Sequence, residues 1–297
     1  MPDILSLIGN TPLVPIQLPF NKPEVQLFGK MEGHNPGGSV KDRAALGMIL
    51  GANPKPGTHF IEATSGNTGI SLAMIARVLN LKMTLVMPDN STLERIQTMQ
   101  AFGAEVILTP AKKTIEYSRV VADQWAKEKG YLQLNQFAND HNWEAHFNST
   151  GPEIWKDKQG KITHFVSAMG TTGTIMGVGK FLKFKNPEIK IVGVQPADHA
   201  SIPGIRRWSK EFLPKIFDSS ILDMTIDVSE EDTKKGMLYN ASVNAIFGGL
   251  SAGGATYAAI EICKKIDQGV VVCIICDRGD RYLSSGYFAE GAPVYVE

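Results

Sequence analysis

Strand-like runs alternate with helix-like runs along most of this chain. Six short apolar runs, with helix-like segments between or after them, have the length of buried strands: residues 58–63, 82–87, 105–109, 162–168, 189–195 and 270–276. Such alternation favours parallel sheets covered by helices on both faces, with ligands at the carboxyl ends of the strands. The predicted fold class is therefore α/β.

A glycine-rich turn places one lysine at the beginning of a helix-like run. In NPGGSVKDR, residues 35–43, Pro36 and two glycines predict a tight turn, and Ser39 is placed to cap the helix that carries Lys41. An amine held there, near the positive end of a helix dipole, suits condensation with an aldehyde and later proton transfer. The alternative from these residues alone is an ordinary capped helix with a solvated lysine.

Two more loops lie between a strand-like and a helix-like run. The hydroxyls, the amide and the first helical N–H groups of EATSGNTG, residues 62–69, suit a carboxylate, unless Thr64 or Ser65 only caps the helix. GTTGT, residues 170–174, suits a phosphate monoester at a helix N-terminus. The dinucleotide fingerprint G-x-G-x-x-G fails here because Thr172 and Ile175 stand where glycines are needed. A single phosphate is the better fit.

Charge and hydropathy narrow the class of protein. Thirty basic and thirty acidic residues cancel, so no net field attracts nucleic acid or an anionic membrane, although a local patch at Arg206 and Arg207 stays open. The N-terminus lacks a basic, apolar leader, and the apolar run at residues 270–276 is far below the ~20 residues of a membrane helix. We expect a cytoplasmic protein.

The cysteines and histidines predict no metal site. Cys273 and Cys276 have the spacing of a redox or zinc motif, but an odd separation on one strand points them to opposite faces. Cys263 stands alone on a helix-like run, and the histidines show no ligand spacing.

The three loops, in this order, make the chain resemble the fold-type II pyridoxal-phosphate enzymes, in their cysteine synthase branch. The resemblance extends from IGNTPL at residues 8–13 to GDRYLS at residues 279–284. The segments SIPGIRRW, residues 201–208, and IICDRGDRY, residues 274–282, are similar to those that distinguish the B isozymes of that branch.

The resemblance implies a two-domain, tryptophan synthase β-like fold that binds pyridoxal 5'-phosphate in the interdomain cleft. Residues 36–138 would form a smaller N-terminal α/β domain with a mobile part at about residues 83–128. Residues 1–35 plus 139–297 would form the larger, cofactor-binding domain. Family members are usually homodimers, so a homodimer is expected.

The resemblance also assigns roles to residues. Lys41 would be the catalytic lysine that bonds to the cofactor, and the other cofactor-binding residues would be Asn67, Gly170, Thr171, Thr172, Gly173, Thr174 and Ser251. The substrate-binding residues would be Thr64, Ser65, Gly66, Thr68, Gln136, Arg206, Arg207 and Cys276. A hydroxyl from Ser251 at the pyridine nitrogen weakens the ring as an electron sink, which favours β-elimination. Ala252 stands where relatives often have a second serine.

The implied reaction is β-replacement. O-acetylserine plus sulfide, or thiosulfate, would give cysteine, or S-sulfocysteine, plus acetate through an α-aminoacrylate. Two alternatives to this function are an O-phosphoserine-dependent cysteine synthase and a non-catalytic regulatory subunit of the same fold. Threonine synthase and serine dehydratase share the lysine but not the two B-type segments. We expect no heme-binding or regulatory extension of the kind that a cystathionine synthase carries.

Overall fold

A computed structural model describes residues 3–64 and 66–288. Its strands are β1 Leu13–Ile16, β2 Val25–Met31, β3 His59–Ala63, β4 Lys82–Pro88, β5 Glu105–Thr109, β6 Leu132–Gln133, β7 His164–Ala168, β8 Lys190–Pro196, β9 Met224–Val228 and β10 Gly269–Ile275. Its α-helices are α1 Lys41–Gly51, α2 Asn67–Val78, α3 Leu93–Ala101, α4 Thr114–Lys129, α5 Asp140–Asn148, α6 Thr150–Asp157, α7 Gly173–Lys185, α8 Glu230–Asn244 and α9 Leu250–Lys265. The predicted α/β class is confirmed.

The smaller sheet has the order β5-β4-β3-β6, and all its pairs are parallel. Its central strand β4 is buried at every position after Lys82. A near-continuous apolar strand of this kind is typical of a parallel sheet that is covered on both faces. Phe60 of β3 packs with Met99 of α3 in the core on one face of this sheet, and Ile61 packs with Ala122 of α4 in a smaller cluster.

The larger sheet has the order β1-β2-β10-β7-β8-β9, and one of its pairs is not parallel. β1 pairs antiparallel with β2 at the edge, a pairing that the sequence did not predict. The reason is the short connection at residues 17–24, because a parallel crossover needs a dozen residues or more. An edge position also tolerates Pro15, which has no N–H to donate.

Helices α8 and α9 approach closely enough to exclude side chains at two glycines. A Cβ added to Gly236 would lie 2.1 Å from the carbonyl oxygen of Gly253, and one added to Gly253 would lie 2.3 Å from that of Thr233. This contact anchors α9, whose first turn carries Ser251. The close packing of α8 against α9 therefore fixes the position of the first turn of α9.

A buried ion-pair cluster joins β2, α1 and α6. Arg43 donates through Nε to Glu32 at 2.8 Å and through Nη1 to Glu153 at 2.6 Å, and Lys30 Nζ lies 2.9 Å from Glu153. Although burial opposes ionisation of Glu32, the charge and hydrogen bonds of Arg43 hold the pKa of this carboxyl below its usual range. The cluster fixes the helix that begins with Lys41 against the larger sheet.

The carboxyl ends of β3, β7 and β10 open on a single cleft, as expected for an α/β protein. The smaller sheet lies within residues 36–138, and the strands of the larger sheet lie in residues 1–35 and 139–297. The division into two domains and the mobility of residues 83–128 stay predictions. Among the helices of the described residues, none has the length and hydropathy needed to cross a membrane.

Candidate active site

The cleft has a volume of about 790 Å³ and contains most of the residues that the sequence singled out. Its lining includes Lys41, Thr64, Gly66, Asn67, Thr68, Gln136, Gly170, Thr171, Thr174, Arg206, Arg207, Ser251 and Cys276. Thr172 and Gly173 are buried directly behind it, in the loop that carries Thr171. Ser65 lies outside the described residues.

Lys41 begins α1 from a turn that is bound to the end of β10. The Val40 N–H donates to the carbonyl of Cys276 at 2.8 Å, and Ser39 bridges to Asp277. The predicted cap by Ser39 differs in detail, because its hydroxyl accepts only from the Lys41 N–H, at 3.2 Å, and the cap position is Val40. Within residues 3–64 and 66–288 the Lys41 amine makes no hydrogen bond, so it is available to a ligand.

The next residue after Lys41 is a buried carboxylate that stabilises the same turn. Asp42 accepts from the Gly37 N–H and from the Ser71 hydroxyl, each at 2.5 Å. Burial raises the pKa of Asp42 to about 6. A side chain at Gly37 would overlap this carboxylate, because an added Cβ would lie 2.3 Å from its oxygen.

Asn67 has an amide whose orientation is fixed from both ends. Its Nδ2 donates to Asp277 Oδ2 at 2.7 Å, and its Oδ1 accepts from the Arg281 guanidinium. Tyr282 also donates to Asp277, at 2.6 Å, and Asp277 is 1 % exposed. One N–H of Asn67 therefore remains for a ligand in the cleft.

The B-type segment at residues 274–282 contains Asp277, Arg281 and Tyr282. The sequence did not predict that Asp277 and Arg281 bind Asn67, or that Tyr282 binds Asp277. Arg95 was missed completely: its guanidinium lies 5.2 Å over the ring of Tyr282, and both side chains line the cleft. No local pattern signals a contact between residues so far apart in sequence.

The predicted phosphate loop has the geometry of an anion site. Thr172 adopts the left-handed conformation, with φ of 72°, and α7 begins at Gly173. The Thr172 hydroxyl is buried and has no hydrogen-bond partner among the described residues. A Cβ at Gly173 would lie 1.9 Å from Asn142 Oδ1, so only glycine fits. An orphaned hydroxyl at the N-terminus of a helix fits a phosphate monoester.

Uncharged side chains hold the loop at residues 170–174 in place through hydrogen bonds. Asn142 Nδ2 donates to the Thr171 hydroxyl at 3.2 Å, and the indole N–H of Trp208 donates to the Gly170 carbonyl at 2.8 Å. The Thr174 hydroxyl lies 3.3 Å from His146 Nε2. Burial lowers the pKa of His146 to about 3, so this imidazole is neutral.

Ser251 and Cys276 present neutral groups on another wall of the cleft. Ser251 is 5 % exposed, in the first turn of α9, and its hydroxyl interacts with the Cys276 thiol. Burial raises the pKa of Cys276 to about 11, so the thiol is protonated. All three cysteines are free and buried, and the described part of the chain has no cluster of three or more side chains suited to a metal ion.

The predicted carboxylate site joins the loop at the start of α2 to a second loop. The Thr68 hydroxyl donates to Gln136 Oε1 at 3.0 Å, and Gln136 Nε2 donates to the Ala63 carbonyl at 3.2 Å. Gly66 precedes α2 without a side-chain cap, so the alternative in which Thr64 caps the helix is not seen.

The two arginines of the B-type segment have different surroundings. Arg207 pairs with Asp227 and donates to the Pro196 carbonyl at 2.8 Å. The guanidinium of Arg206 makes no hydrogen bond or ion pair within the described residues, and it lies 5.7 Å from the centroid of the Trp208 ring. Burial lowers the pKa of Arg206, which shows that this charge is partly desolvated at the cleft.

Comparisons with known proteins identify relatives over nearly the whole chain. Residues 4–277 match the family described as pyridoxal-phosphate dependent enzyme. The chain is 51 % identical to cysteine synthase B of Pseudomonas aeruginosa, covering 97 % of each. It is 50 % identical to cysteine synthase B of Escherichia coli, covering 98 % of this chain and 97 % of that one. The crystal structure of a cysteine synthase from Entamoeba histolytica is similar with a TM-score of 0.91 at 34 % identity, covering 98 % and 92 % of the two chains.

Proposed function

This chain belongs to the pyridoxal-phosphate-dependent enzymes, as one of the cysteine synthase B type, and from that premise we propose its substrates and the roles of its residues. The donor is O-acetylserine, the nucleophile is sulfide or thiosulfate, and the products are cysteine or S-sulfocysteine, and acetate. One observation supports this best: a single cleft brings together an unpaired lysine, a phosphate loop, a fixed amide and a neutral serine.

The residues present fit pyridoxal phosphate. Lys41 would bond to it, the loop of residues 170–174 would hold its phosphate, and the free N–H of Asn67 would donate to its ring oxygen. Ser251 would meet the pyridine nitrogen with a hydroxyl. When bound, this cofactor supplies an electron-withdrawing ring that stabilises negative charge at the Cα of an amino acid.

The carboxylate of the donor would bind at the start of α2. Thr64 and Thr68 offer hydroxyls, Gln136 offers an amide, and the first N–H groups of the helix add a positive potential. With the donor held there, Lys41 is the base that moves the proton at Cα as acetate leaves Cβ. Closure of the cleft around the bound carboxylate would exclude water from the reacting atoms.

Arg206 is the cation that suits a doubly charged nucleophile. Thiosulfate must lose water to enter a closed cleft, and a partly desolvated guanidinium without an acceptor offers a charge-assisted hydrogen bond in exchange. Arg207 has its acceptors already. Cys276, small and protonated, leaves space on the same wall.

The other predicted properties remain proposals. We propose a homodimer in the cytoplasm that uses small-molecule substrates and binds neither nucleic acid nor membrane. Equal numbers of acidic and basic residues support the last two points.

A donor and nucleophile panel tests the function. The purified enzyme, loaded with pyridoxal phosphate, should form cysteine from O-acetylserine and sulfide with a higher kcat/KM than from O-phosphoserine or serine. Lys41→Ala should form none. Thiosulfate in place of sulfide should give S-sulfocysteine. If cysteine formed only from O-phosphoserine, the donor would be O-phosphoserine and not O-acetylserine. If no donor gave cysteine, the proposed function would be wrong.

A further inference from the structure

Glu62 is a fully buried carboxylate, next to the cleft, whose partners are backbone N–H groups. It is 2 % exposed, at the carboxyl end of β3. One oxygen accepts from the Asn135 N–H at 2.8 Å, the other accepts from the Gln136 N–H at 3.2 Å, and the Leu134 N–H also contributes. No ion pair reaches Glu62 from the described residues. Isolated buried carboxylates are costly, so this one needs a specific explanation.

The carboxylate determines where the chain goes after β6. β6 pairs with β3 only at two positions, Leu132 with Phe60 and Gln133 with Ile61. Beyond them the N–H groups of residues 134–136 turn to the side chain of Glu62 instead of extending the backbone ladder. Asn135 takes the left-handed conformation, with φ of 51°, which completes the turn.

This turn brings Gln136 into the cleft. Its side chain accepts from Thr68 and donates to the Ala63 carbonyl, so it ties the two loops of the predicted carboxylate site together. One N–H of the Gln136 amide is left for a ligand. The position of this amide therefore depends on the hydrogen bonds that Glu62 makes with the backbone behind it.

We propose that Glu62 is a positioning residue for the amino-acid donor: its buried carboxylate holds residues 134–136 so that Gln136 meets the donor's carboxylate. This inference rests on the proposed function, which makes Gln136 part of the donor site. Glu62 itself does not line the cleft and touches no reacting atom.

The charge of Glu62 changes in the physiological range. Burial raises its pKa to about 7, against the opposing effects of the three N–H groups and of the positive charge of Arg119. Among the elements packed on β3, β6 has no titratable residue, and β4 has only Lys82, which pairs with His59 at the other end. α4 contributes Arg119, and its other titratable residues are partly or fully exposed: Glu116, Tyr117, Asp123, Lys127, Glu128 and Lys129.

The direction of the pH effect follows from the hydrogen bonds. Above about pH 7 the charged carboxylate accepts on both oxygens. Below that pH a proton occupies one oxygen, which then faces an N–H donor and loses that bond. The loop loosens, so the KM for O-acetylserine should rise as the pH falls through about 7.

The test compares Glu62→Gln with Glu105→Gln in steady-state kinetics across the pH range. In Glu62→Gln the amide nitrogen of the new side chain faces a backbone N–H donor, so one charge-assisted hydrogen bond is lost. The KM for O-acetylserine at pH 8 should therefore rise by about 10-fold, while kcat should change by less than about 2-fold. The break in KM near pH 7 should disappear. Glu105, on β5, accepts from Thr84 at 2.7 Å and from no other group in the described part of the chain, and its variant should match wild type.

Gln136→Ala keeps the proposal testable if Glu62→Gln does not fold. Because Glu62 acts through Gln136, the break near pH 7 should be absent in Gln136→Ala, and adding Glu62→Gln should raise KM no further. A wild-type KM and pH profile in Glu62→Gln, or a break that persists in Gln136→Ala, would overturn the role of Glu62. A wild-type enzyme that makes no cysteine would instead overturn the proposed function.

Discussion

Most side chains around the proposed cofactor position are neutral, and the exceptions carry the chemistry. Burial keeps the Cys276 thiol protonated, with a pKa of about 11, and it keeps His146 neutral, with a pKa of about 3. Ser251 adds only a hydroxyl. The cations that line the cleft without a hydrogen-bonded acceptor within the described chain are Lys41, Arg95 and Arg206.

Ser251 should tune the reaction by being neutral. Ser251→Ala removes one hydrogen bond, so turnover should fall only several-fold, as for a loss of about 1 kcal/mol. Ser251→Asp would hold a proton on the ring nitrogen, so negative charge at Cα should persist, visible as a new long-wavelength absorbance band, and elimination should slow. Stopped-flow absorbance with O-acetylserine checks both variants. An Asp variant as fast as wild type, with no new band, would contradict this account.

Arg206 should discriminate between nucleophiles. Arg206→Ala should lower kcat/KM for thiosulfate by roughly 10- to 100-fold, the effect of losing a charged hydrogen bond, and should hardly change kcat/KM for bisulfide. Arg207→Ala is the matched control, because Arg207 pairs with Asp227. Equal losses with both nucleophiles in Arg206→Ala would assign this residue to structure.

The sequence predicted those residues of the cleft and its loops that lie in short, contiguous segments. Turn chemistry and helix starts are local, so Lys41, Asn67 and Thr172 could be placed at the carboxyl ends of strands without coordinates. The partners of Asn67 could not be predicted, because Asp277 reaches it from 210 positions away. The contact of Glu62 with the loop at residues 134–136 could not be predicted for the same reason, because that loop is more than 70 positions away in sequence.

Among the elements, the buried ion cluster between β2, α1 and α6 should be costly to break by removing one partner. Glu32→Ala would leave Arg43 with one of its two carboxylates, and breaking a buried pair costs about 3–5 kcal/mol. Urea unfolding at pH 7 measures the loss. Glu231→Ala is the control, because its partner Lys235 is on the exposed surface of α8 and the free energy of unfolding should not change.

The same cluster predicts an acid limit. Burial opposes ionisation of Glu153, but hydrogen bonds from Arg43, Asn10 and Lys30 lower its pKa to about 2. Because the folded-state pKa is below the ordinary value of 4.5, the contribution of Glu153 to stability is complete above about pH 4.5 and is lost as the pH falls toward 2. In Glu153→Gln, therefore, the free energy of unfolding should depend less on pH in that range, and an unchanged acid slope would exclude Glu153.

The sequence left out four strands, β1, β2, β6 and β9. In β2, which is largely buried, the polar residues Gln26 and Lys30 interrupt the apolar run. β9 exposes three of its five residues, and β6 has only two residues, so neither produces an apolar run. The antiparallel β1 was missed for a related reason: four residues with a proline do not resemble a buried strand. The strands β3, β7 and β10, whose carboxyl ends open on the cleft, were found because both of their faces are covered.

At the scale of the whole molecule, two sheets meet at one cleft, and the account depends on a single lysine in it. The resemblance supports the proposal that the cofactor bonds to Lys41, and the turn at residues 35–43, anchored to Cys276, holds this lysine at the cleft. The chain has many other lysines, so identifying the lysine that is bonded to the cofactor is a strict test of this proposal.

Borohydride reduction followed by peptide mass mapping is the most direct measurement. Reduction makes a lysine–cofactor bond permanent, and proteolysis then locates it. The expected result is one modified lysine, Lys41, with loss of the visible absorbance of the protein. Lys41→Ala should remain unmodified while still binding pyridoxal phosphate through residues 170–174. Modification of a different lysine, or a fully active protein that carries no cofactor at all, would contradict the account.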